Sequence, residues 1–269
     1  MNVIEAVFLG IVQGLTEFLP VSSSGHLVLL QKVFKIREPS LFFDTMLHLG
    51  TLTAVFIVLW KDIWEILKKP IQKLTLFLII ATIPAVIAAL TFKDSIENLF
   101  LSAKFLGWCF LFTSALLVSA ELLSRRALKS DSKTDSMKWF HALFIGFMQA
   151  VAIPPGISRS GATISGALFC KLDRDFAARF SFLMSIPAIL GAVVLQAKDL
   201  IKGNAAQNEV NINIAAVIAG TLAAAIVGFF AVKFMLKIIK EKSLFGFAIY
   251  TGVLGLFVLI DQFVTRLVF

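Results

Sequence analysis

Charge is scarce in this chain: 16% of its 269 residues are Asp, Glu, Lys or Arg, while 58% are hydrophobic. A soluble domain carries about 25% charged and 45–50% apolar residues, so a water-soluble globule is excluded. Cysteine is nearly absent, and the two present, Cys109 and Cys170, lie in apolar surroundings with no metal-ligand spacing between them. They read as buried free thiols. The N-terminus lacks the basic region of a secretory signal, and Glu5 and Glu17 precede any small-residue cleavage site, so the first helix is expected to be retained. The ten-residue alternation of a membrane-barrel strand is also missing, which leaves helices as the structures able to cross lipid. No pattern for haem, flavin or nucleotide is present. The net charge of +8 falls in short segments between apolar runs, a positive-inside pattern and not a nucleic-acid groove, so no nucleic-acid partner is expected.

What remains is an all-α polytopic membrane protein, one integral membrane domain over residues 1–269. Six spans are expected: Leu41 to Trp60, Leu74 to Phe92, Phe105 to Ser124, Phe180 to Ala197, Ile212 to Val232 and Leu244 to Ile260. Each is near the roughly 20 residues that cover the hydrocarbon. Three basic connections orient them: Lys61, Lys68, Lys69 and Lys73; Arg125, Arg126, Lys129, Lys133 and Lys138; and Lys233, Lys237, Lys240 and Lys242. These belong on the cytoplasmic side. The connections from Lys93 to Lys104 and from Lys198 to Asn211 balance their bases with Asp94, Glu97, Asp199 and Glu209 and belong outside.

Two segments are left over, Met1 to Phe34 and Trp139 to Cys170. Under this alternation each starts and ends on one side, the first outside and the second inside, so each is expected to be a broken re-entrant hairpin. A shift of 136 positions lays Gly10, Gln13, Ser22, Ser24 and Gly25 on Gly146, Gln149, Ser158, Ser160 and Gly161. The halves, roughly 1–130 and 135–269, then form two inverted-topology repeats, each a hairpin plus three transmembrane helices.

Both hairpins place polar groups where lipid makes them expensive. In the first, Gln13 and Glu17 share a helix face, Pro20 breaks the helix, and Ser22, Ser23, Ser24 and Gly25 can cap a second short helix near His26. A helix start with neighbouring hydroxyls is a ready phosphate site. His26 lies within one turn of Ser23 and can exchange a proton with it or with a leaving group. In the second hairpin, Pro154-Pro155-Gly156 precedes Ser158, Arg159, Ser160 and Thr163, and Arg159 is the one full charge in the 32 residues from Trp139 to Cys170. A guanidinium can grip a phosphate through two parallel hydrogen bonds. Plainer readings stand beside these: Ser and Gly can serve close helix packing, Glu17 can be a structural partner of Arg159, and His26 can be a satisfied core histidine. Asp44 and His48 read as an interhelical bond or as support for the site, Glu121 as a span end in the headgroups, and Pro84 and Pro187 as kinks.

These residues resemble the bacitracin-resistance type of undecaprenyl-diphosphate phosphatase over essentially the whole chain. That family's first motif is met by Gln13, Glu17 and Phe18-Leu-Pro-Val-Ser-Ser-Ser-Gly-His26, and its second by Pro155-Gly156-Ile157-Ser158-Arg159-Ser160 with Thr163. The resemblance implies hydrolysis of undecaprenyl diphosphate to the monophosphate in a bacterial inner or plasma membrane. It further implies recycling of the carrier for peptidoglycan synthesis, cell shape and bacitracin resistance, with a site opening to the outer face. By the same resemblance Glu17, Ser23, His26 and Arg159 form the catalytic set, with Gln13, Ser22, Ser24, Ser158, Ser160 and Thr163 around the substrate. Many members have Glu where this chain has neutral Gln13, so Mg²⁺ or Ca²⁺ recruited by Glu17 and Gln13 stays open beside Glu17 orienting His26. The partners expected are the polyprenyl diphosphate lipid and the bilayer, with monomer or homodimer both open. In one scheme Ser23 attacks phosphorus with help from His26; in another His26 activates water. Inverted repeats with broken helices also mark secondary transporters, so a lipid-phosphate or anion carrier is the rival reading.

Overall fold

The structure is a computed structural model that describes residues 1–36, 41–126, 137–201 and 213–269. The described residues are helical, with no strand among them. The order is α1 (Val3–Phe18), α2 (Ser23–Val33), α3 (Leu41–Val58), α4 (Trp60–Lys68), α5 (Lys73–Thr91), α6 (Lys93–Ser102), α7 (Leu106–Arg126), α8 (Trp139–Val151), α9 (Arg159–Phe169), α10 (Arg174–Ile201), α11 (Ile214–Glu241) and α12 (Phe245–Ile260). Five helices, α5, α7, α10, α11 and α12, are long and apolar enough to cross a membrane, and the protein is a multi-pass membrane protein. The sixth expected span is different: α3 reaches that threshold only together with α4, across a 79° bend after Val58. Beyond the bend, Trp60 and Trp64 stack with ring centroids 5.5 Å apart, and Lys68 covers the Trp64 ring, the composition of an interfacial turn. The expected residues Lys129, Lys133, Glu209, Asn211 and Ile212 lie outside the described residues.

The two leftover segments are pairs of short helices, α1 with α2 and α8 with α9. They dock on opposite halves of the chain: α1 packs against α11, and α8 against α5. Glycine permits both approaches, because a Cβ on Gly10 would strike the Gly220 carbonyl and one on Gly146 would strike the Ala81 backbone. Without a hydrophobic force between helices in lipid, such close contact is what holds them. Gly10→Val should force α1 off α11 and destabilise the protein by about 1–3 kcal/mol, the usual scale of overpacking, read as a lower thermal midpoint in detergent.

One end of the bundle is tied by charges. Glu121 is 2% exposed and accepts from Arg174 at 2.7 Å, Arg125 at 2.8 Å and the Leu244 backbone at 3.1 Å. It is therefore a buried junction between α7, α10 and the start of α12, not a headgroup residue, because three donors replace the water it would otherwise need. Arg179 bridges Asp62 and Asp175, and Lys240 reaches Asp175 at 3.1 Å, gathering α4, α10 and α11 at the same end. Pro84 and Pro187 lie inside α5 and α10. Cys109 and Cys170 are free and partly exposed, less buried than their surroundings suggest.

Candidate active site

Each hairpin breaks where its sequence stops helix formation. α1 ends at Phe18, and Leu19, forced out of helical geometry by Pro20, is extended at φ −75° and ψ 146°. Ser22 then turns through φ 70°, a left-handed conformation uncommon outside glycine, and caps α2 by accepting from Gly25 N at 3.3 Å. In the second hairpin the turn falls on Gly156 at φ 96°, and Ser158 caps α9 by accepting from Gly161 N at 3.0 Å. A side chain at Gly156 would also meet Cys109 and the Leu106 carbonyl. Thr113 of α7 braces this turn, accepting from Ser158 N at 3.0 Å and donating to Gly156 O at 2.9 Å.

The breaks are bonded to each other. Ser22 Oγ accepts from Gly156 N at 3.1 Å, and Ser160 Oγ donates to the Leu19 carbonyl at 2.9 Å. Ser23 and Arg159, which coincide under the 136-residue shift, thus occupy the first turn of α2 and α9 side by side. Between them sits Glu17. Its Oε1 accepts from Arg159 Nη2, and its Oε2 accepts from Ser23 Oγ at 2.5 Å and Gln13 Nε2 at 2.9 Å. His48 Nδ1 lies 3.3 Å from the same Oε2 and 2.9 Å from Gln13 Nε2. Glu17 is 5% exposed and Gln13 fully buried.

The structure thus joins Gln13, Glu17, Ser23 and Arg159 directly, with Ser22, Ser158 and Ser160 as the scaffold of the turns. Ser24 lines a cavity that opens on this cluster. Thr163 points away, pairing with Ser181 at 2.6 Å. His26 is not part of the Glu17 cluster: its Nδ1 donates to the Ser22 carbonyl at 2.7 Å and its Nε2 is 2.7 Å from Tyr250 Oη. Ser23 donates to Glu17, on the α1 side of the turn, while the histidine one helical turn away faces α12. Both readings of the Asp44 and His48 pair are met on α3: Asp44 accepts an interhelical bond from Gln31 of α2 at 3.2 Å, and His48 supports Glu17 of α1. Tyr250, the sole tyrosine in the chain, and Thr113 carried no motif signal.

A divalent cation on Glu17 and Gln13 does not fit this arrangement. Both carboxylate oxygens already have donors, and Gln13 presents its amide nitrogen to the carboxylate while its Oε1 is buried without a partner. Among the described residues no group of three or more His, Cys, Asp or Glu side chains is placed to hold a metal ion.

A cavity of about 630 Å³ opens on the cluster. Its polar end is Glu17, Ser22, Ser23, Ser24, His48, Ser158 and Arg159; its walls are apolar side chains of α5 and α10, and Phe100 of α6 lies along it. Val86, Leu90, Leu190 and Val194 of these walls are exposed on the outer surface of the bundle. A polar head site therefore runs without a barrier into a lipid-facing surface.

The sequence match decides the family: residues 6–257 fit the model of the bacitracin resistance protein BacA. The chain belongs to the BacA family. Among its curated relatives, the undecaprenyl-diphosphatase of Carboxydothermus hydrogenoformans is 47% identical over 262 residues, covering 97% of this chain and 98% of the relative. Undecaprenyl-diphosphatase 3 of Bacillus cereus is 47% identical over 263 residues, with 98% of both chains covered. The undecaprenyl-diphosphatase of Halothermothrix orenii is 40% identical over 262 residues, covering 97% of this chain and 98% of the relative. The second BacA hairpin, the first from Ala6 onward and the Glu17 cluster fall within the matched residues.

Proposed function

We propose that this chain hydrolyses undecaprenyl diphosphate to undecaprenyl phosphate and inorganic phosphate, recycling the carrier lipid for peptidoglycan synthesis and conferring bacitracin resistance. The observation that carries this reading is a cavity that joins a serine, a carboxylate and an arginine to an apolar wall open to lipid. The polyprenyl tail stays in the bilayer against Val86, Leu90, Leu190 and Val194, and the diphosphate enters between α2 and α9. There two helix N-termini and the Arg159 guanidinium meet it, the arrangement expected for a polyanion.

Chemistry follows from the bonds at Glu17. Ser23 gives its proton to Glu17 and attacks the terminal phosphorus; the serine–phosphorus bond forms as the bond to the bridging oxygen breaks, releasing undecaprenyl phosphate. Arg159 stabilises charge on the transferring group. Glu17 passes that proton to the departing phosphate oxygen and, a carboxylate again, accepts a proton from the water that cleaves the phosphoserine, returning it to the Ser23 oxygen as inorganic phosphate leaves. His26 is a positioning residue: through its bond to the Ser22 carbonyl it holds the strained turn that aims Ser23. No step needs a metal ion.

Several features favour an inverted pair of repeats, 1–130 and 135–269, within one membrane domain. The equivalent Ser22 and Ser158 cap equivalent helices, and α1 on α11 is matched by α8 on α5. The charged end around Asp62, Glu121 and Lys240 faces the cytoplasm of a bacterial inner or plasma membrane under the positive-inside rule. The cavity runs the other way, along Leu90 and Leu195 to Phe100, and so opens toward the outer leaflet.

The test is phosphate release by the purified chain in detergent, with no membrane gradient. Turnover of undecaprenyl diphosphate, with phosphate trapped on Ser23 after rapid quenching, is the expected result. Folded protein that binds the lipid yet releases no phosphate would move the reading to a lipid-phosphate carrier.

A further inference from the structure

Two buried polar groups at the cavity are left unpartnered by the protein. One is Arg159 Nη1, the nitrogen not committed to Glu17. The other is the whole amide of Gln149 on α8, whose Nε2 and Oε1 both lack a hydrogen-bond partner although the residue is 3% exposed and lines the cavity. Its equivalent under the 136-residue shift, Gln13, spends its Nε2 on Glu17 and His48. Position 153, the counterpart of Glu17, is Ile153, so Gln149 has no carboxylate one turn away to receive it.

A buried amide without a partner costs stability, and it persists where a ligand supplies the missing bond. Apolar neighbours Ala152, Ile153 and Ile157 around Gln149 leave the bound molecule as its partner. We infer that Gln149 is a diphosphate ligand in its own right, its Nε2 donating to a phosphate oxygen beside the free Arg159 Nη1, so that the headgroup is gripped from the second hairpin by a glutamine as well as an arginine. The inference rests on the phosphatase reading and adds a specificity residue to it. A neutral donor suits this place: it holds an anionic oxygen without adding a second cation that would compete with Arg159 for Glu17.

Gln149→Leu separates binding from architecture, since leucine keeps the volume and removes both unpartnered atoms. The expected result is a KM for undecaprenyl diphosphate raised about tenfold to a hundredfold, the range for one hydrogen bond to a charged group. The thermal midpoint of the substrate-free protein should be unchanged or higher. Gln149→Glu, which sets a carboxylate against the diphosphate, should be worse than leucine. A Gln149→Leu protein with wild-type KM, or one whose midpoint falls while its KM holds, overturns the inference. Wild-type protein that releases no phosphate overturns instead the reading beneath it.

Discussion

Arg159→Ala should lower phosphate release from undecaprenyl diphosphate by about 10³ to 10⁵, the scale of a removed arginine in phosphoryl transfer. Two effects combine. The guanidinium supplies the only full positive charge within the two helix breaks, and its Nη1 is free to meet the headgroup. Its removal also leaves Glu17 buried beside the arriving diphosphate with its counter-charge gone, so like charges face each other in a site with little water. Arg159→Lys should recover only part of the loss, because an ammonium cannot hold Glu17 and phosphate through a planar fork. Steady-state kinetics of both variants decide the matter: activity within tenfold of wild type in the alanine variant would remove Arg159 from the mechanism.

Glu17→Ala should damage both the reaction and the fold. Its carboxylate is the shared acceptor for Arg159, Ser23 and Gln13, with His48 alongside. Deleting it leaves a buried guanidinium and a buried amide without their acceptor, which by comparison with other broken buried pairs costs about 3–5 kcal/mol. It also takes away the base for Ser23, worth about 10² to 10⁴ in rate. Glu17→Gln keeps the volume and an acceptor oxygen, so it should retain most of the stability and none of the base. Thermal unfolding beside turnover measurements separates the two: a Gln variant far more stable than the Ala variant but equally inactive is the expected pattern, and an active Gln variant would refute the proton transfer.

The sequence announces the breaks far better than the partners. Pro20 and Pro154-Pro155-Gly156 must interrupt a helix wherever they stand, so two hairpins and their capping serines are legible without coordinates. The pairing of Arg159 with Glu17 was visible as an option, since each is costly in lipid without the other. Which hydroxyl or imidazole joins them was not. Ser23 and His26 are close in sequence, yet α2 turns one toward α1 and the other toward Tyr250, 224 positions away. Asp44 and His48 were legible as an interhelical bond or as support for the site, but only the docking of α3 beside α1 shows that His48 goes to Glu17. The bend after Val58 was hidden because hydropathy alone runs through it.

The cross-bonds between the hairpins also set an order of events during synthesis. Ser22 is held by the amide of Gly156, and the Leu19 carbonyl by the hydroxyl of Ser160. The turn that carries Ser23 is thus not braced until Gly156, 134 positions after Ser22, has been made and the second hairpin has arrived. A nascent chain halted before that point holds Ser23 in a turn that still lacks the frame built by the second hairpin.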